Sequence, residues 1–243
     1  MPDATVKVEN ARFIVTMDPS RRIISDGSLV VQGQNIIQVG KTEDLAGVQT
    51  DSVIDASDMV VTPGFVNGHM HISYAHATRG IFPDDLGSAY LPNVFKLQAI
   101  MTEEEEYHTS LLAITELLKY GTTTFVDPGS TKYLDRCMDA YKQAGCRIIV
   151  GAHVTDKTNQ LNLPVSSTAD ALQTIETTIE RFDRKLDGRI RAWAMPFAPN
   201  VCTDELLLGS KRLADRYNTG LTLHYNNGPN YVEASIKESG LRP

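Results

Sequence analysis

Two histidines one residue apart, His69 and His71, follow the run Val60-Val61-Thr62-Pro63-Gly64-Phe65-Val66-Asn67-Gly68. In extended backbone alternate side chains share a face, roughly 7 Å apart along the chain, so both imidazoles can reach one metal ion. A third imidazole, His224, closes the apolar run Thr219-Gly220-Leu221-Thr222-Leu223. Three neutral imidazoles make a partial zinc-type site, and iron, cobalt or manganese accept the same donors. One divalent metal, zinc first, is the expected cofactor.

The elements that must hold these residues alternate between strand and helix. Apolar strand patterns end at His69–His71 and recur over 122–127, 146–151, 189–195 and 219–224. Between them lie amphipathic helices. Thr102 with Glu105 forms a capping box, and Tyr107, Leu111, Ile114 and Leu118 follow at helical spacing before Gly121. Leu134, Met138 and Tyr141 mark a second helix stopped by Gly145, and Leu172, Ile175, Ile179, Phe182 and Leu186 a third reaching toward Gly188. Thr203 caps a fourth, and a short helix follows to Gly240. Strand-helix alternation predicts a parallel sheet. Five such units are present where a closed barrel has eight.

Residues 1–59 read differently. Short apolar segments at 6–8, 12–15, 28–31, 36–39 and 53–54, with Gly33-Gln34-Asn35 between two of them, predict a small antiparallel β domain without catalytic groups. The 243 residues are 42% hydrophobic and 22% charged, the balance of an ordinary globular protein. A net charge of -7 gives no electrostatic reason for nucleic acid or an anionic membrane as partner, and a small-molecule ligand is expected. With no apolar run long enough to span a bilayer, a cytoplasmic location is expected. Cys137, Cys146 and Cys202 lack metal or disulfide spacing and are read as buried thiols.

The segment Pro63-Gly64-Phe65-Val66-Asn67-Gly68-His69-Met70-His71 resembles the first metal-binding strand of the amidohydrolase superfamily. The helix and strand over 112–127 are similar to the branch that holds cytosine and S-adenosylhomocysteine deaminases together with triazine hydrolases. Arg79-Gly80 with Asp84-Asp85-Leu86, and the loop 195–203, resemble further segments of that branch. The resemblance implies an α/β fold: an incomplete (β/α)8 TIM-type barrel over 60–243, carrying strands one to five, preceded by part of a β-sandwich over 1–59. It also implies a metal held by His69, His71 and His224, with two further ligands beyond Pro243 and a metal-bound hydroxide as nucleophile. A second chain completing the barrel, or a homo-oligomer, is the expected partner.

Two positions depart from the branch. Asn227 stands where its deaminases carry a proton-shuttling glutamate, and a carboxamide does not titrate in that range. Phe197 replaces the histidine of the Pro-His-Ala loop with an apolar wall. Together they favour a small, fairly apolar substrate, such as a thiocarbamate or triazine, that loses a nitrogen, sulfur or chlorine leaving group. The alternatives are an aminohydrolase of a nucleobase-like compound and a non-catalytic half-barrel that binds or scaffolds. Further candidate substrate contacts are His76, Arg79, Asp85 and His153. His153 is read either as facing the site or as a hydrogen-bonded structural histidine, and Arg79, Asp84 and Asp85 also as loop-ordering ion pairs. His108 and the run 103–106 are read as a solvated helix start.

Overall fold

The computed structural model describes residues 4–225 and 229–242, which fall into two compact units, Met1–Gly64 and Phe65–Pro243. In the first, β1 (Thr5–Val15), β2 (Ile23–Gln32) and β3 (Asn35–Lys41) pair antiparallel. The β1–β2 register runs from Thr5 opposite Gln32 to Val15 opposite Ile23, with a bulge between Val8 and Ala11. Asn10 sits there at φ 63°, a conformation asparagine tolerates better than most residues.

The expectation of a purely antiparallel sheet fails at β4 (Ser52–Asp55) and β5 (Val60–Val61), which both pair parallel to β1, along its two halves. After β3 the chain crosses through the turn Glu43–Leu45 and returns on the free side of β1 in the same direction. Its core is small: Ala11, Ile14, Leu29 and Ala56.

The second unit carries the histidines. Its strands β6 (Phe65–Asn67), β7 (Thr122–Val126), β8 (Arg147–Val150) and β9 (Ile190–Ala192) form one parallel sheet in sequence order. The fifth expected strand appears only as a parallel bridge of Ala194 with Leu221, flanked by hydrogen bonds from Ala194 N–H to Gly220 C=O (3.0 Å) and from Thr222 N–H to Ala194 C=O (3.1 Å). This pairing starts past the end of β9 and is too short to build a strand.

The helices are α1 (Tyr74–Thr78), α2 (Tyr90–Ile100), α3 (Glu103–Lys119), α4 (Leu134–Ala144), α5 (Thr168–Phe182), α6 (Asp204–Arg216) and α7 (Pro229–Ser239). Both halves of the capping box form at the start of α3, and Gly145 ends α4 in the left-handed conformation. Thr203 caps α6 by accepting the Leu206 N–H. Neither α1 nor α2 was expected, because neither has a side-chain cap and α2 has Pro92 in its first turn.

The helix expected to reach Gly188 stops at Phe182. The Asp183 carboxylate accepts the Ala192 N–H (3.0 Å) and the Arg191 guanidinium (2.8 Å), which pulls its backbone out to ψ 138°. Leu186 then lies beyond the helix in a segment with three positive-φ residues, Arg184, Leu186 and Asp187.

One core joins sheet and helices: Phe125, Ile148 and Ile190 from the strands meet Ile114, Tyr141, Ile175, Ile179 and Leu206. Burying each such side chain contributes roughly 1.5–3 kcal/mol. Cys137, Cys146 and Cys202 are free and buried. Among the described residues no helix is long and apolar enough to cross a membrane.

Candidate metal centre

The backbone beyond each strand end is laced to its neighbour, and this lacing fixes where the histidines stand. Asn67 Oδ1 accepts the His69 N–H (3.0 Å), so the chain turns as it leaves β6. Met70 N–H then bonds Val126 C=O (2.9 Å). Asp127 N–H reaches Ile149 C=O, His153 N–H reaches Gly129 C=O, Phe197 N–H reaches Val154 C=O, and His224 N–H reaches Phe197 C=O (2.8 Å). The pairing therefore continues past the regular strands, and the histidines of distant segments emerge on one side.

His71 Nε2 lies 3.3 Å from His69 Nε2 and 3.3 Å from His224 Nε2. One nitrogen from each of the three rings falls within 4.8 Å of the others. Burial pushes His71 down to about 3, helped by repulsion from His224 and His69, and pushes His224 down to about 4 with help from His69. Burial also lowers His69. Burial therefore disfavours the protonated form of each ring, and their nitrogens crowd onto one point.

Crowded lone pairs repel unless a cation gathers them, so the donor set fits a divalent metal ion. His69, His71 and His224 would hold it. Zinc-type chemistry needs neutral imidazole, the form that burial favours here.

These histidines stand at one side of a cavity of about 300 Å³ whose other walls are Tyr74, Thr78, Tyr90, Leu91, Phe95 and Phe197. Phe197 stacks on His224 with ring centroids 4.9 Å apart. Five of these walls come from the two unexpected helices, Tyr74 and Thr78 on α1 and Tyr90, Leu91 and Phe95 on α2. Sequence reading missed them because an aromatic on a weakly patterned helix is indistinguishable from core. Ser130 was missed as well, and its hydroxyl lies 3.0 Å from His71 Nδ1.

The other candidates do not line this cavity. His153 packs edge-on against Phe197 (4.7 Å between centroids) and lies 5.3 Å from His224. Its Nε2 is buried without a partner, and burial, with repulsion from His224, His71 and His69, holds its pKa well below the ordinary value. His76 turns away from the cavity: its Nε2 lies 2.9 Å from Glu116 of α3. Arg79 also pairs with Glu116 (3.0 Å), so its ion pair runs to α3. Asp85 is exposed on the turn Asp84–Ala89. Nothing is described for the Asp84 side chain, and Asn227 falls outside the described residues.

Comparison with known proteins bears on this arrangement. The sequence profile of the Amidohydrolase family matches residues 60–242. A 5'-deoxyadenosine deaminase of Methanobrevibacter smithii is 29% identical over 100% of this chain and 53% of its own length. A 5-methylthioadenosine/S-adenosylhomocysteine deaminase of Syntrophobacter fumaroxidans is 30% identical over 95% of this chain and 51% of its own length. Among solved structures, an atrazine chlorohydrolase of Arthrobacter aurescens complexed with zinc superposes with a TM-score of 0.84 at 21% identity, covering 98% of this chain and 56% of that one. The chain thus spans about half the length of the curated relatives it matches. With three quarters of its residues under one profile and its histidines gathered at the strand ends, the chain belongs to the amidohydrolase family.

Proposed function

We propose that this chain carries the metal-binding part of a hydrolase that removes a substituent from a ring carbon of a planar nitrogen heteroaromatic, and the convergence of three neutral imidazoles on an aromatic cavity is what supports it. A divalent ion bound there, zinc first, supplies Lewis acidity that makes water nucleophilic near neutral pH. The chain's own residues do the rest. Tyr74, Phe95 and Phe197 offer flat apolar faces to a flat substrate, and they exclude water from its ring. Two features of the relatives favour this substrate class: their names specify adenosine derivatives, and a structural neighbour's specifies atrazine.

The leaving group distinguishes two forms of the proposal. Amine loss needs a proton delivered to nitrogen, and Asn227 cannot deliver one. Chloride or thiolate leaves without that help, so the Asn227 and Phe197 pair favours it, whereas the deaminase names of the relatives favour amine. In this reading β6 to β9 and the Leu221 bridge are five successive strands of a (β/α)8 barrel, and residues 1–59 belong to a β-sandwich. Further strands, from the same polypeptide or a second chain, would cover β6, where Phe65 is 60% and Val66 70% exposed.

The test is product analysis of the zinc-loaded protein, supplied with any completing strands, on 5'-deoxyadenosine, 5'-methylthioadenosine and atrazine. Release of ammonia or of chloride with one oxygen gained by the ring supports the proposal and identifies the leaving group. No turnover of any of them, with one zinc bound per chain, overturns the substrate class. Absence of zinc binding overturns the metal site itself.

A further inference from the structure

The second nitrogen of His71 ends on a buried polar relay that the three-histidine site does not by itself require. Ser130 Oγ lies 3.0 Å from His71 Nδ1 and 2.9 Å from Asp127 Oδ1. Both relay residues are enclosed, Asp127 at 1% and Ser130 at 6% exposure. Asp127 receives three donors: the Ser130 N–H (3.4 Å), the Ser130 hydroxyl and the Thr131 hydroxyl (2.6 Å). A carboxylate so surrounded only accepts.

A serine hydroxyl has one hydrogen, and here it points at Asp127. Toward His71 it can therefore only accept. His71 Nδ1 must then carry the ring hydrogen, which leaves the lone pair on Nε2, the atom that faces His69 and His224. The opposite tautomer would aim an N–H at those two nitrogens and close the site to a cation. We infer that Asp127 and Ser130 are positioning residues that fix His71 as the Nδ1–H tautomer and so present its Nε2 lone pair to a divalent cation. The inference rests on the metal site proposed above.

The loop holding Ser130 is built for accuracy. Glu106 of α3, fully buried, accepts the Lys132 N–H (2.9 Å) and the Tyr133 N–H (2.5 Å). Gln98 of α2 donates its amide to Ser130 C=O. Two helices thus grip the loop at the serine and just beyond it, and a carboxyl or amide side chain is buried for each grip. A segment that only connected β7 to α4 would not need them.

Two readouts test the relay on the metal-free and zinc-titrated chain: the tautomer of His71 from its ring ¹⁵N shifts, and the zinc dissociation constant by competition with a chromophoric chelator. The expected wild-type result is Nδ1–H. Ser130→Ala should shift His71 toward Nε2–H and weaken zinc binding about 10- to 100-fold, while Thr131→Val, which removes a different donor to Asp127, should stay within about threefold. Circular dichroism checks that each variant is folded. A wild-type His71 with hydrogen on Nε2 overturns the inference, as does a folded Ser130→Ala with unchanged tautomer and affinity. Equal losses in both variants overturn it too, since they would reflect the loop and not the relay. The tautomer measurement needs no metal, so a wild type that binds no zinc would remove the metal site while the ¹⁵N shifts still decide the relay.

Discussion

Asp127 is a carboxylic acid enclosed on every side, and burial pushes its pKa up to about 6, with Glu106 adding repulsion and the Ser130 and Thr131 donors pulling the other way. The sign of the consequence follows from linkage. In the unfolded chain the group titrates near ~3.9, so between that pH and the folded value the unfolded state has lost its proton while the folded state keeps it. Stability from this group is therefore full below ~3.9 and falls as pH rises through about 6, by about 3 kcal/mol in all. Asp127→Asn keeps an amide oxygen for Ser130 but cannot titrate. Subtracting its urea-unfolding free energy from that of wild type at each pH should give a difference that declines from pH ~4 to ~6 and is flat outside that window. A difference that rises with pH would mean that Asp127 is stabilised as the anion. The histidines call for a different measurement. Zinc at 100 times its dissociation constant adds about 2.7 kcal/mol to the folded state, which is roughly 5–10 °C in Tm for a unit of this size. His71→Ala should abolish that rise, and a Tm that still climbs with zinc in the variant would place the ion elsewhere.

Among the elements, the turn after β7 leaves no room for a side chain. Gly129 has φ +90°, and a Cβ there would meet His153 Cδ2 and the His153 backbone nitrogen, both at 2.9 Å. Gly129→Ala therefore combines left-handed strain with a clash against backbone, and a loss of about 2–4 kcal/mol is expected from its denaturation midpoint. By contrast, Thr102→Ala removes only the capping box of α3 and should cost about 1 kcal/mol. A Gly129→Ala loss no larger than the Thr102→Ala loss would refute the close approach. The same comparison shows what was legible in the chain before its structure. The cap of α3 was readable because Thr102 and Glu105 act on their own backbone, and so was the glycine stop of α4. The early end of α5 was not, since it depends on Asp183 meeting Arg191 and Ala192 across the fold. His69 and His71 were legible as a pair through strand periodicity, and His224 joined them only through the expected barrel. The walls from α1 and α2, and Ser130 behind His71, were invisible because nothing local distinguishes a side chain that lines a cavity from one that fills a core.

For the whole molecule, the open question is what covers the sheet of the second unit. β6 is an edge of that sheet among the described residues, three residues long, with Phe65 and Val66 both more than half exposed. Edges that proteins leave free are usually guarded by charge, proline or a covering loop, and β6 carries no charge. Pro63 and Gly64 precede the strand and leave its own donors and acceptors unguarded. Such an edge invites pairing. In light scattering after size exclusion, the 243-residue chain on its own should therefore run above its 26.8 kDa monomer mass, increasingly so with concentration. Val66→Lys places a charge on the exposed face of that edge and should return the mass toward the monomer without changing the helix and strand content seen by circular dichroism. A wild-type chain that stays monomeric at high concentration would show the edge to be harmless, and association that survives Val66→Lys would move the contact away from β6. Strands that would complete the proposed barrel should have the same effect as the lysine, because pairing satisfies the edge that the charge only guards. That agreement between a charge and a partner is what would tie the exposed edge to the proposed architecture.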